Sequence, residues 1–166
     1  MESLDSQIRK ESADYDAFKN SIKEAAILFN AIPRKESIKV IGHLDADGLC
    51  ASAIMIHALI KLNRKYSLSI LPTISKEALD NINAENCDYV VFVDLGSGSY
   101  ELVSKTLAKK KIYILDHHML QSNSNQQNII QINPHLFHID GSVEISGAGV
   151  VFMFCNELTA GKNIVS

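Results

Sequence analysis

Three short apolar runs, Ile38-Lys39-Val40-Ile41-Gly42, Tyr89-Val90-Val91-Phe92-Val93 and Ile112-Tyr113-Ile114-Leu115, each stop at a cluster of acidic or imidazole side chains. The runs are rich in β-branched and aromatic residues, the composition of strands buried on both faces of a parallel sheet. The clusters that follow them are His43-Leu44-Asp45-Ala46-Asp47-Gly48, Asp94-Leu95-Gly96 and Asp116-His117-His118. A chain built this way delivers its carboxylates and imidazoles to one edge of a sheet. In open α/β sheets that carboxyl edge is where ligands bind.

Helical spacing fills the intervals. Leu4, Ile8, Tyr15, Phe18, Ile22, Ala25 and Phe29 are spaced largely by threes and fours, interrupted at Glu11, and predict one amphipathic helix over about 4–31, ending before Pro33. A second helix is expected after Gly48, closing near Asn63. A strand follows at 67–71, then a short helix capped by Ser75 and running to about Ile82. A helix over about 100–109 ends in Lys109-Lys110-Lys111, where cations suit the helix dipole. The polar stretch 121–128 reads as the most mobile surface loop, 129–132 as a last strand and 146–158 as a last helix. The fold class is α/β, a parallel sheet flanked by helices, with residues 1–35 as a helical arm and 36–166 as one domain.

Composition narrows the function. A net charge of -3 excludes a broad basic surface, so a nucleic-acid partner must be held through metals and local Lys/Arg clusters. Cys50, Cys87 and Cys155 are odd in number, far apart and set among apolar residues, which fits reduced thiols in a cytoplasmic protein. They form no CxxC pair, so structural zinc of the usual kind is excluded. Met1 to Asp5 has no secretory pattern and no run reaches membrane-spanning length, so no membrane partner is expected.

Asp45 and Asp47 flank one residue at a strand end, and an extended backbone would send both carboxylates to one side, as a metal pair needs. Oxygen ligands suit hard divalent cations, and the imidazoles of His43 and His117 move the preference toward manganese or another transition metal. An Asp beside Gly is also ordinary turn chemistry, and Asp94 alone reads that way too. Asp116-His117-His118 is more demanding, because three polar groups directly after an apolar strand are costly to bury unless hydrogen-bonded or metal-bound. The coincidence of all three clusters describes a site. With Asp94 able to bridge, it suggests two metals about 3.5–4 Å apart and in-line displacement at phosphorus. His118 is the nearest donor to a phosphate. Backbone N–H groups at Ser146, Gly147 and Gly149, opening the last helix, read equally as phosphate donors or as a plain turn; for 96–99 the plain turn is favoured. His135 can line the cleft. His57 reads as a packed or surface histidine, His138 as structural, and the lysine run as a solvated helix end.

The ordered series of these segments, with Asn133-Pro134-His135, Ile139-Asp140-Gly141 and Ser146-Gly147-Ala148-Gly149-Val150, resembles the DHH phosphoesterase superfamily, most of all the archaeal RecJ-like single-strand exonucleases. The resemblance runs over about 38–158. It implies a five-stranded catalytic domain with two Mn2+ or Mg2+ ions and His43, Asp45, Asp47, Asp94 and His117 as ligands. It implies His118 at the scissile phosphate and Asp116 either as a ligand or as the partner orienting the imidazoles. Superfamily members continue to a further metal-binding Asp and a second, DHH-associated domain. No Asp follows Asp140 here, so an incomplete domain, weakly active or inactive by itself, is expected. The leading function is metal-dependent exonuclease action on single-stranded DNA or RNA. The alternatives are a small-molecule phosphoesterase (an oligoribonucleotide or nucleotide phosphatase, or a pyrophosphatase) and a non-catalytic scaffold for replisome proteins. The intact acidic and histidine positions argue against the scaffold.

Overall fold

A computed structural model describes residues 4–122 and 126–159, with side chains from Glu11 onward. Its strands are β1 (Ser37–His43), β2 (Lys65–Leu71), β3 (Tyr89–Val93), β4 (Lys111–Leu115) and β5 (Ile129–Ile132). All neighbours pair in parallel, in the order β2-β1-β3-β4-β5. The helices are α1 (Leu4–Asn30), α2 (Ala46–Lys61), α3 (Lys76–Ala84), α4 (Tyr100–Thr106) and α5 (Gly147–Leu158).

The central strands are buried on both faces, which is why they read as continuous apolar runs. Val91 and Val93 point into a core shared with α1, α2 and α5, while Val90 and Phe92 point to the opposite core under α3 and α4. Alternate side chains therefore serve different layers, as the pleat requires. The chain leaves β1 toward β2 on one side and builds β3, β4 and β5 on the other. Strand order thus reverses between β1 and β3, the point where open α/β sheets carry a crevice.

Helix α1 belongs to this core. Phe18, Ile22, Ala25, Ala26 and Phe29 are all buried and share one helix face. The Phe29 ring lies 5.2 Å from that of Tyr113 and 5.7 Å from that of Phe154, edge-on to both. Phe29→Ala is expected to lower stability by about 3–5 kcal/mol, the range for emptying a packed aromatic site. The check is the denaturant midpoint; a loss under about 1 kcal/mol, the ordinary value for a point change, would make α1 a loosely attached arm.

Several boundaries differ from the sequence expectation. Helix α2 begins at Ala46 rather than after Gly48, because Asp45 supplies the cap. Helix α4 stops at Thr106 rather than near Lys109. Lys110 is not part of a solvated helix end: it is buried, and its ammonium donates to the carbonyls of Glu85 (3.0 Å) and Cys87 (2.7 Å). Strand β2 starts two residues early, and Ser97–Ser99 and Pro134–Phe137 form 3-10 turns. The expected Ser75 cap is present, its hydroxyl accepting from the Ala78 N–H at 3.1 Å. Residues 123–125 of the polar loop, the side chains of Leu4 and Ile8, and the chain end after Thr159 lie outside the described residues. Among the described residues no helix is long and apolar enough to cross a membrane.

Candidate metal centre

His43 is the last residue of β1, and Asp45 immediately caps α2, its carboxylate accepting from the Gly48 N–H at 2.9 Å. That hydrogen bond holds the Asp45 carboxyl below the usual carboxylate range. The turn is tight: a Cβ on Gly48 would lie 2.6 Å from the His43 carbonyl oxygen and 2.7 Å from its Cα. Asp47 therefore sits in the first helical turn, not on an extended strand end, and the expected reason for the Asp45/Asp47 pairing does not hold. Asp47 is aimed instead by α5, accepting from the N–H groups of Gly147 (2.7 Å) and Ala148 (2.9 Å).

Asp94 is the centre of the arrangement. It follows β3 with φ of 61°, a left-handed conformation that Asp tolerates and that turns the chain sharply at the sheet edge. The residue is fully buried, and neither carboxylate oxygen has a hydrogen-bond donor. Burial, then the charges of Asp47 and Asp116, push its pKa up to about 7. Two orphaned acceptors in a buried carboxylate are costly unless a cation faces them.

The two imidazoles face Asp94 in a way that fits such a cation. His117 Nδ1 meets the carbonyls of Gly141 (2.7 Å) and Ile145 (3.1 Å), so that nitrogen donates. Its Nε2 then turns a lone pair toward Asp94 Oδ1 (3.3 Å) and Asp47 Oδ2 (3.6 Å). His43 Nε2 meets the carbonyl of Pro72 at 3.2 Å, leaving Nδ1 toward Asp45 Oδ2 (3.0 Å) and Asp94 Oδ2 (3.7 Å). Although so close to Asp45, His43 Nδ1 is not aligned for a hydrogen bond. Lone pairs facing carboxylates, with the far nitrogen donating to a backbone carbonyl, are the pattern of metal-bound histidine. Potential ligand atoms of Asp94, His117 and His118, and again of His43, Asp45 and Asp94, lie within 4.8 Å of one another.

His118 differs from His117 despite its place in the first group. Its Nδ1 donates to Asp116 Oδ1 at 2.7 Å, and this bond pushes its pKa up to about 9. A protonated imidazole is a phosphate donor rather than a metal ligand. Asp116 is fully buried; burial opposes its ionisation, but hydrogen bonds from His118 and the Ser97 N–H (2.9 Å) hold its pKa below the usual range. It orients His118 and sits outside both metal-ligand groups.

Ser97 is not among the expected site residues, since its segment reads as a plain turn. It is buried and its N–H donates to Asp116, while its hydroxyl accepts from Gln131 (3.0 Å) and Asn133 (2.9 Å). Asn133 also donates to the His118 carbonyl at 2.9 Å. Asn133 belongs to the Asn133-Pro134-His135 segment, but no local pattern marks its pairing with Ser97 or the part of Gln131; only the sheet brings the three together. Two of the expected phosphate donors of the last helix are otherwise engaged: the Gly149 N–H donates to the Ser146 hydroxyl that caps α5 (3.1 Å), and the Gly147 N–H donates to Asp47. His135 lies in the second 3-10 turn, its Nε2 buried beside Gly141, and belongs to neither ligand group. A cavity of about 230 Å³ opens beside the centre, lined by His43, Asp94, Asp116 and His118 together with Pro72, Ile74 and Leu95.

The sequence model for the DHH family, N-terminal domain, matches residues 37–165. An uncharacterized protein of Methanocaldococcus jannaschii is 36% identical over 125 residues, 72% of this chain and 28% of that protein. The single-stranded-DNA-specific exonuclease RecJ of Escherichia coli is 28% identical over 139 residues, 78% of this chain and 24% of that enzyme. The crystal structure of RecJ from Thermus thermophilus in complex with Mn2+ matches with a TM-score of 0.68 at 26% identity, over 84% of this chain and 21% of that one. The chain spans about a quarter of the length of these curated relatives.

Proposed function

Because the chain belongs to the DHH family and is related to RecJ, we propose that residues 36–166 are the catalytic domain of a manganese- or magnesium-dependent phosphodiesterase, a RecJ-type exonuclease on single-stranded nucleic acid. The observation that carries this reading is the buried Asp94 carboxylate, without a hydrogen-bond donor and faced by imidazole lone pairs from the end of β1 and the segment after β4. The exonuclease description of the Escherichia coli relative and the Mn2+ in the Thermus structure support the substrate and the metal.

In this reading Asp47, Asp94 and His117 would hold one ion, and His43, Asp45 and Asp94 would hold the other. Two bound ions supply a water of lowered pKa and neutralise charge at phosphorus. The protein's own part is positional. Backbone carbonyls fix both imidazoles, the start of α5 fixes Asp47, and the Asp116 bond keeps His118 protonated to meet a phosphate oxygen. Helix α1, within residues 1–35, is an accessory to the domain. The three free thiols support a cytoplasmic setting.

The test is a labelled single strand, and in parallel a labelled dinucleotide, incubated with the protein in Mn2+, with excess chelator, and with His117→Ala. Manganese-dependent release of nucleotides, lost in the other two arms, is the expected result. Cleavage that survives both chelator and His117→Ala would refute the proposal, and dinucleotides cut in preference to long strands would move it to small-molecule phosphoesterase action.

A further inference from the structure

Helix α1 lies outside the region matched by the family model, yet hydrogen bonds tie it to the candidate metal centre. The link is the segment 140–148, which joins the second 3-10 turn to α5. This one segment aims two of the proposed ligands. The carbonyls of Gly141 and Ile145 converge on His117 Nδ1, and the N–H groups of Gly147 and Ala148 converge on Asp47.

The turn at its start has little packing to hold it. Ser142, Val143 and Glu144 are all exposed, Val143 at 82%. Its shape comes from hydrogen bonds instead. The Glu144 and Val143 N–H groups donate to the Asp140 carbonyl at 2.8 and 3.2 Å, and the Ser142 N–H donates to Asp140 Oδ1 at 2.9 Å. Glu144 closes the ring, one carboxylate oxygen accepting from the Asp140 N–H at 3.0 Å and the other from the Tyr15 hydroxyl of α1. Tyr15 is itself anchored by the core face of α1 one turn further on, where Phe18 packs 5.6 Å from the Phe137 ring of the 3-10 turn preceding the segment.

We infer that Glu144 is a positioning residue for the metal centre: together with Tyr15 it holds the 140–144 turn so that the flanking carbonyls fix the His117 ring and the following N–H groups fix Asp47. The inference rests on the reading of His117 and Asp47 as metal ligands. Groups that orient ligands directly are worth about 10–100-fold in metal affinity, and Glu144 acts one step further out, so an effect of about 3- to 10-fold is expected.

The experiment is calorimetric titration of Mn2+ into the wild type, Glu144→Ala, Glu144→Gln and Tyr15→Phe, with the His117 ring N–H followed by nitrogen-edited NMR in the metal-free proteins. Glu144→Ala should weaken binding about 3- to 10-fold and shift or broaden the His117 Nδ1–H signal. Glu144→Gln keeps an acceptor and should restore most of the affinity; Tyr15→Phe, a change at an exposed hydroxyl that leaves the fold intact, should weaken binding less but in the same direction. Wild-type affinity and an unchanged His117 signal in Glu144→Ala and Tyr15→Phe would overturn the inference. A wild type that binds no manganese would overturn the metal reading instead, and the His117 signal would still decide whether Glu144 positions the ring.

Discussion

Asp94→Asn should raise the melting temperature of the metal-free protein at pH 8 and abolish the further rise that manganese gives the wild type. The sign follows from the raised pKa. The folded protein keeps the Asp94 proton up to about pH 7, whereas the unfolded chain releases it near the ordinary value of 3.8. The folded state therefore binds more protons across that window, and stability falls as pH climbs through it. Above pH 7 the ionised carboxylate costs on the order of 4 kcal/mol, at about 1.36 kcal/mol per pKa unit. Asparagine removes the charge, keeps the shape and also tolerates the left-handed backbone at this position. At pH 5 the gap should shrink to about 1.6 kcal/mol, because only the part of the window between 3.8 and 5 has been crossed, and it should close as pH falls below 3.8, where the carboxyl is protonated in both states. Manganese at about 100 times its dissociation constant should stabilise the wild type by about 2.7 kcal/mol and leave the variant unmoved. Thermal melts at the two pH values, with and without manganese, check all of this. A variant less stable than wild type at pH 8, or one that keeps the manganese response, would contradict the role given to Asp94.

Gly147→Ala should lower manganese-dependent phosphodiester cleavage by about 100-fold or more, with a matching loss of manganese affinity. A Cβ at residue 147 would lie 2.6 Å from the Asp94 Cγ and 2.8 Å from its Cβ, far inside contact distance. Asp94 is locked by burial and by its backbone turn, so α5 must move instead. That movement carries away the N–H groups of Gly147 and Ala148 that aim Asp47. A displacement of about 1 Å in a catalytic group is enough for a 100-fold loss. Calorimetric manganese titration alongside the single-strand assay reads the effect; near wild-type values in both would show that α5 does not set the geometry of the centre.

The two histidines of the DHH motif show where local sequence stops being informative. His117 and His118 are adjacent and chemically identical in the sequence, and both are expected at the site. Their roles separate only because His117 meets the carbonyls of Gly141 and Ile145 while His118 meets the Asp116 carboxylate. One ring is left with a lone pair toward Asp94, and the other gains a charge. Likewise the sequence places Asp47 beside Asp45 on an extended strand end, yet its direction is set by α5, 100 residues away. Ser97 reads as a turn residue because its partners, Gln131 and Asn133, come from the far edge of the sheet. Lys110 reads as solvated because the carbonyls that bury it belong to the segment before β3.

Short-range periodicity is enough to specify the elements and the edge they share. Apolar runs of strand length mark the parallel strands, threefold and fourfold spacing marks α1, and the punctuation after β1, β3 and β4 puts carboxylates and imidazoles at one edge of the sheet. These follow from the side-chain period of each element and need no knowledge of its neighbours. The tertiary structure alone decides which of those groups is buried, which nitrogen of each imidazole faces the centre, and which backbone groups aim them. Those outcomes depend on strand order and on helix starts that meet across long separations, and burial, which no local pattern states, is what turns Asp94 from a turn residue into the shared carboxylate of a candidate metal centre.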